Sequence, residues 1–132
     1  MTLDDYEAAL ELWQHSPGIA LGESDTRAQI EAFLARNPGL SFVAVQDNRL
    51  VGTVLCGQDG RRGYLHHLAV HEAYRRRGIG RQLVQLCLEG LRKQGILKCH
   101  IFLEADNREG EIFWVKIGWM KRPDIKVMSK FI

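Results

Sequence analysis

Two groups of residues in this sequence have the types and spacing to do chemistry. The first is the run YRRRGIGR, Tyr74 to Arg81, in which Arg75, Gly78 and Gly80 set an R-x-x-G-x-G spacing around Ile79. A helix that opens at such a run presents backbone N–H groups with no intrahelical partner, and together with the helix dipole they make a site for an anion such as a pyrophosphate. Gly78 and Gly80 have no Cβ to hold phosphate oxygens away, and glycine takes the positive φ that lets several N–H groups converge. Arg75, Arg76, Arg77 and Arg81 add long-range attraction for a multiply charged ligand, although the amides rather than the guanidinium groups should hold it. The second group is the pair His66 and His67. An imidazole near about 6.5 is suited to take a proton at neutral pH. Regular strand alternation sends the two rings to opposite faces, so only one can point into a cleft. The competing reading for either is a hydrogen-bonded structural histidine.

Other constellations carry less. The P-loop pattern is absent, and the dinucleotide motif fails because Leu83 stands where its third glycine belongs. HEAYR begins like a zinc HExxH but has Arg75 in the last place, so no metal site is expected. Cys99 and His100 are neighbours that alternate across a strand, which makes a packed thiol the expected reading rather than a nucleophile. Cys56, Cys87 and Cys99 form no CxxC pair and lie in apolar surroundings, as reduced core thiols do. His15 carries no signal, and Glu104 and Asp106 read as solvated acids at a strand end.

The elements that position these residues follow from periodicity. Tyr6, Ala9, Leu10 and Trp13 mark a helix from about Leu3 to Gln14, with Thr2 as N-cap and Asp4 and Asp5 in its first turn. TRAQ, from Thr26, is a capping box ahead of Ile30, Phe33 and Leu34, and Asn37, Pro38 and Gly39 stop that second helix. FVAV and LVGTVLC, joined by QDNR, read as a hairpin, and Tyr64 to Val70 as a third strand. After the glycine run, Leu83, Val84, Cys87, Leu88 and Leu91 mark an amphipathic helix closed by Gly95. KCHIFLEA is the next strand, DNREGEIFWVKIGW a short helix capped by Asp106 or Asn107, and IKVMSKFI a last strand.

At 132 residues the chain is long enough for one domain, residues 1–132, with its own core. Its 18 basic and 16 acidic residues are too balanced to announce a nucleic-acid binder, and no stacking aromatics interleave with the arginines. No run approaches a membrane span, and no signal region opens the chain, so a cytoplasmic protein is expected.

With these elements in order, the sequence resembles the GNAT superfamily of acyl-CoA N-acyltransferases. LAVHEAYRRRGIGRQLV resembles its acyl-CoA pyrophosphate segment, FLEADN its following strand and asparagine, and IFWVKIGW its FYxxxGF helix. The resemblance implies an α+β fold, a three-layer α/β/α sandwich on a mixed, mostly antiparallel sheet splayed at the acyl-CoA cleft. It implies that the backbone of Leu68 and Val70 holds the pantetheine arm of acetyl-CoA, that amides from Arg76 to Arg81 hold the pyrophosphate, and that Asn107 and Phe113 flank the arm. A backbone N–H among Leu68, Ala69 and Val70 would serve the oxyanion. The activity implied is transfer of an acetyl group to a primary amine by direct attack in a ternary complex. YLHHLAVHEAYRRRG also resembles the matching segment of arylalkylamine N-acetyltransferases, whose histidines on this strand take the amine proton; His66 falls on a matching position and is the candidate base. Dimers are common for the fold.

Two features depart from the pattern. Trp114 stands where the family's helix usually carries the tyrosine that protonates the leaving thiolate, and an indole cannot give up its proton usefully at neutral pH. This leaves unassisted departure, a substitute acid such as Tyr64, or a packing role for Trp114. It also leaves a non-catalytic acyl-CoA binding or sensing module as the alternative function. The second departure is that Met1 leads straight into the first helix, where the family usually has a strand; either the sheet lacks that strand or the chain begins late.

Overall fold

The computed structural model describes every residue from Met1 to Ile132. The chain forms two compact units, Met1–Phe102 and Leu103–Ile132. In the first, a 3-10 turn over Leu3–Asp5 runs into helix α1, Tyr6–Gln14. The Asp5 carboxylate accepts the Thr2 N–H at 2.9 Å, which satisfies one donor at the entry to the turn. Helix α2, Arg27–Arg36, starts where TRAQ predicts, with Thr26 Oγ1 accepting the Gln29 N–H at 3.3 Å. A 3-10 turn at Glu23–Asp25, not foreseen, precedes it.

Strands β1, Phe42–Gln46, and β2, Arg49–Gln58, form the expected hairpin. Its two turn residues, Asp47 and Asn48, sit at φ 52 and 64, the left-handed pair that matches strand twist and that Asp and Asn tolerate. Strand β3, Gly63–Val70, lies antiparallel to β2, and β4, Cys99–Ile101, lies parallel to β3. The sheet order is β1-β2-β3-β4. Helix α3, Ile79–Lys93, buries Leu83, Val84, Cys87 and Leu91 as its periodicity predicts, and it ends at Gly95 (φ 81), with the Ile96 N–H returning to the Leu91 carbonyl.

The sheet divides this unit into three layers. On one face α3 packs so closely on β3 that a Cβ on Gly63 would stand 2.6 Å from Leu91 Cδ1. On the other face Tyr6, Ala9, Leu12 and Trp13 of α1 and Ile30 of α2 form a core with Leu55 and Ala69. The mostly antiparallel three-layer α+β arrangement is the one expected.

The alternation expected for His66 and His67 fails, and its failure shapes the rest. His66 and His67 do not face apart. The His66 ring lies 6.2 Å from Phe33 of α2, and the His67 ring lies 4.8 Å from Trp13 of α1. Both therefore lie on the α1/α2 face. The cause is a β-bulge: pairing passes from Thr53–Ala69 to Leu55–His66, so His67 and Leu68 together oppose Val54. His67 sits at φ +50, left-handed backbone that a bulge accommodates and that regular alternation does not include. Such a residue costs roughly 1–2 kcal/mol and persists only where its surroundings hold it. Here they do, since Thr53 Oγ1 donates to the His67 carbonyl at 2.9 Å and itself accepts the Trp13 Nε1–H at 2.8 Å. Thr53 and Trp13 are essentially sealed from water.

In the second unit, helix α4 spans Arg108–Lys116. Asn107 is its cap, the Oδ1 accepting the Gly110 N–H at 2.9 Å. The last strand predicted for IKVMSKFI does not form: no residue after Lys116 is in a strand. Val127, Met128 and Phe131 are exposed, so the segment has a strand's composition without a neighbouring strand to supply its backbone partners. The fourth strand is likewise shorter than KCHIFLEA suggests, because pairing with β3 stops at Ile101.

Thr53→Val removes the buried acceptor of Trp13 and the donor to His67 at nearly constant volume. It should cost about 1–3 kcal/mol in chemical denaturation. Thr53→Ser should recover most of that loss.

Candidate functional site

The glycine run sits where the sequence places it, between β3 and α3. A 3-10 turn, Glu72–Tyr74, follows β3, and Gly78, at φ +80, caps α3. Arg76 is also left-handed, at φ 63. Alternating handedness of this kind turns successive N–H groups toward one side. The first intrahelical acceptor used is the Gly78 carbonyl, by Gln82. None of the N–H groups from Arg76 to Arg81 finds an acceptor in the protein, and a Cβ on Gly78 would meet only open space. Such a cradle of unpaired donors at a helix mouth is suited to an anion.

The arginines divide into two kinds. Arg75 Nε donates to the Val70 carbonyl at 2.9 Å, and the Arg77 guanidinium lies 5.2 Å from the centre of the Tyr74 ring. These two brace the loop. Arg76 and Arg81 are exposed and make no such contact, and all four lend positive potential to the cradle.

Beside the cradle, β3 has an open edge. Pairing with β4 covers only Gly63, Tyr64 and Leu65. On the β2 side the His71 N–H reaches the Val51 carbonyl at 2.8 Å, which makes 51/71 and hence 53/69 the hydrogen-bonded pairs. Ala69 therefore spends its backbone groups on Thr53. Leu68 and Val70 direct theirs away from β2, to the edge that β4 leaves uncovered. The Val70 carbonyl is taken by Arg75, and the Leu68 groups and the Val70 N–H remain.

His66 lies at the start of this edge, its ring 6.4 Å from Tyr64 and nearly parallel to it, and 6.0 Å from Phe102. Tyr64 in turn contacts His100 and Phe102. Burial among these rings pushes the His66 imidazole below its ordinary 6.5, and the neighbouring His67 adds to that while Asp25 partly opposes it. At neutral pH it is the unprotonated form, able to accept a proton. His67 is held differently, with its Nε2 2.6 Å from Asp25 Oδ1. That partnership had no local signal in the sequence, because Asp25 is 42 positions away.

The thiols are not reactive. Cys56 and Cys87 are fully buried, and burial pushes Cys99 up to about 12. No three metal-ligating side chains come together. In the second unit Trp114 is buried against Phe113 and Trp119, with ring centres 5.3 and 4.7 Å away, so it serves that unit's aromatic core. Asn107 spends its side-chain oxygen on capping α4, and the Phe113 ring remains half-exposed.

The model of the Acetyltransferase (GNAT) family matches residues 6–119. The chain belongs to this family. An acetyltransferase of Pectobacterium atrosepticum is 35% identical over 104 residues, which are 79% of this chain and 73% of that protein. Among solved structures, Ard1 from Thermoplasma volcanium matches with a TM-score of 0.79 at 24% identity, covering 91% of this chain and 79% of that one. The PaiA N-acetyltransferase from Thermoplasma acidophilum, solved in complex with coenzyme A, matches with 0.78 at 21%, covering 89% and 85%. At these identities the two structures speak for the fold. The GNAT chain is an enzyme of the N-acetyltransferase class, and none of its helices is long and apolar enough to cross a membrane.

The lowered His66 value has a stability consequence. The unfolded chain binds the proton first as pH falls below about 6.5, so His66 should make this GNAT protein less stable from there downward until the folded form also titrates. His66→Gln should flatten that part of a stability-against-pH curve, and proton NMR should show His66 titrating below 6.5.

Proposed function

We propose that the protein transfers an acetyl group from acetyl-CoA to a primary amine by direct attack within a ternary complex. The observation that carries this reading is the set of backbone N–H groups from Arg76 to Arg81 left without acceptors next to the uncovered edge of β3. The N–H cradle suits a diphosphate. The outward backbone groups of Leu68 and Val70 suit an extended amide-bearing arm laid along the strand, as an added strand would be.

The chemistry follows from the groups at hand. An alkylamine, near about 10.4 for lysine, is mostly protonated at neutral pH and attacks a thioester only as the free base. His66, neutral at that pH, takes the proton directly or through a water. The carbonyl oxygen gains negative charge as the C–N bond forms, and the Val70 or Leu68 N–H would donate to it. The C–S bond then breaks. The thiol, by analogy with cysteine at about 8.5, is a tolerable leaving group.

Ala69 supplies no donor in this scheme, since its N–H is engaged with β2. A site that only binds or senses the cofactor would need the cradle but not a neutral imidazole beside it.

Acetyl-CoA at about 100 times its dissociation constant should stabilise the protein by roughly 2.7 kcal/mol, read as a rise in melting temperature, and oligonucleotides should not. Gly78→Asp, which puts a carboxylate at the cradle, should weaken acetyl-CoA binding at least tenfold. His66→Gln should keep acetyl-CoA binding and lose most amine-dependent thiol release. Uptake of acetyl-CoA without thiol release to any primary amine would favour the sensing module, and a Gly78→Asp protein that binds normally would refute the cradle.

A further inference from the structure

The amides from Arg76 to Arg81 can receive an anion only while their loop keeps its turn, and packing at Gly78 does not keep it: a Cβ there would meet nothing within 4 Å. Arg76 is left-handed at φ 63 and Gly78 at φ 80, with Arg77 between them. Left-handed backbone at a non-glycine residue is unfavourable by itself and persists where neighbouring groups hold it. On the side of Arg77 that neighbour is Tyr74. The Arg77 guanidinium lies 5.2 Å from the centre of the Tyr74 ring, within reach of a cation–π contact. The Tyr74 hydroxyl donates to Asp47 Oδ2 at 2.9 Å, and Asp47 is the first turn residue of the β1–β2 hairpin, 27 positions away.

We propose that Asp47 and Tyr74 are positioning residues for the diphosphate of the cofactor: the hairpin turn holds Tyr74, Tyr74 holds Arg77, and Arg77 fixes the left-handed residues on either side of it. This rests on the acetyl-CoA reading above. Neither side chain has to touch the ligand. Their contribution is to binding of the diphosphate, not to acyl transfer.

Tyr74 is tied at its backbone as well as at its hydroxyl. Its N–H donates to the His71 carbonyl at 2.9 Å, and the His71 N–H donates to the Val51 carbonyl at 2.8 Å, which joins the 3-10 turn to β2. His71 Nδ1 accepts the Ala73 N–H at 3.1 Å, and the His71 ring meets the Tyr74 ring edge-on at 5.8 Å. The hydrogen bond to the Asp47 carboxylate holds the Tyr74 hydroxyl above its ordinary 10, so near neutral pH it stays a donor. On the other flank of the loop, Arg75 Nε holds the Val70 carbonyl. The left-handed hairpin turn accepts Asp, Asn or Gly at this position, and of the three only Asp brings a charged acceptor. A loop already held in its bound shape loses less freedom when the ligand arrives, and the difference appears as affinity for the part of the ligand that the loop contacts.

The test is binding of CoA, followed by calorimetry, and of pantetheine, which lacks the diphosphate, followed by NMR titration. Asp47→Gly suits the hairpin turn and removes the acceptor, while Tyr74→Phe keeps the ring and removes the donor. Each should weaken CoA about three- to tenfold, as the loss of one hydrogen bond does, and leave pantetheine within about twofold of wild type. The double variant should bind CoA no more weakly than the poorer single one, because both changes break the same link. Asp47→Asn, which still accepts through Oδ1, should bind CoA more tightly than Asp47→Gly. Without ligand, the melting temperature of each variant should stay within about 2 °C of wild type. CoA affinity unchanged in both single variants, equal weakening of CoA and pantetheine, losses that multiply in the double variant, or weaker binding that comes with a fall in melting temperature would each overturn the positioning role and leave the cradle standing. Wild-type protein that binds CoA no more tightly than pantetheine would remove the cradle and this role with it.

Discussion

The hydrogen-bonded chain from Trp13 to Thr53 to the His67 carbonyl is the constraint on which the rest of the first unit turns. It is buried, it joins α1 to β2 to β3, and it sits at the one place where β3 leaves regular geometry. A left-handed histidine in mid-strand is locally unfavourable, and two hydrogen bonds in a dry environment are enough to offset it. Once the bulge is in place, the residues after it change face. Tyr64 and His66 precede it and lie toward α2, and His67 within it and Ala69 after it lie toward α1. Without the extra residue, either His66 or the Ala69 that fills the core would be turned to the α3 side.

The same irregularity bears on the open edge. The ladder to β2 past the bulge leaves Leu68 and Val70 looking outward, and β4 has already parted from β3 by then. The edge ends at Arg75, which binds the Val70 carbonyl, and the left-handed Arg76 and Gly78 then turn the chain into α3. Strand edge and helix mouth are thus consecutive stretches of one backbone. Their spacing is set by covalent geometry and by the packing of α3 on the sheet.

Much of this was legible in the sequence, for identifiable reasons. The helices announced themselves because Tyr6, Ala9 and Trp13, and later Leu83, Val84, Cys87 and Leu91, recur at helical spacing and are buried. Thr26 and Gly95 marked ends by chemistry that acts within a few residues. The glycine run was readable because Gly78 does take the positive φ that its identity permits. What was not legible depends on distant partners. Nothing near His67 says that Thr53 and Trp13 will hold a bulge there, so two adjacent histidines read as alternating. Asp25 lies in a turn with no periodicity and gains its meaning only from the strand it meets. IKVMSKFI reads as a strand because composition reports what a segment would do beside a neighbour, and no neighbouring strand pairs with it here.

A binding surface made of main-chain atoms is largely indifferent to the letters that spell it. The N–H groups between Arg76 and Arg81 would point the same way with most other side chains in place, provided the turn keeps its handedness and α3 its seat on the sheet. Such a surface can persist while the sequence drifts. An imidazole has no such latitude: where a side chain is what accepts a proton, replacing it removes that capacity. Within one short stretch, then, main-chain donors that depend on the shape of the backbone lie next to side chains whose chemistry depends on their identity.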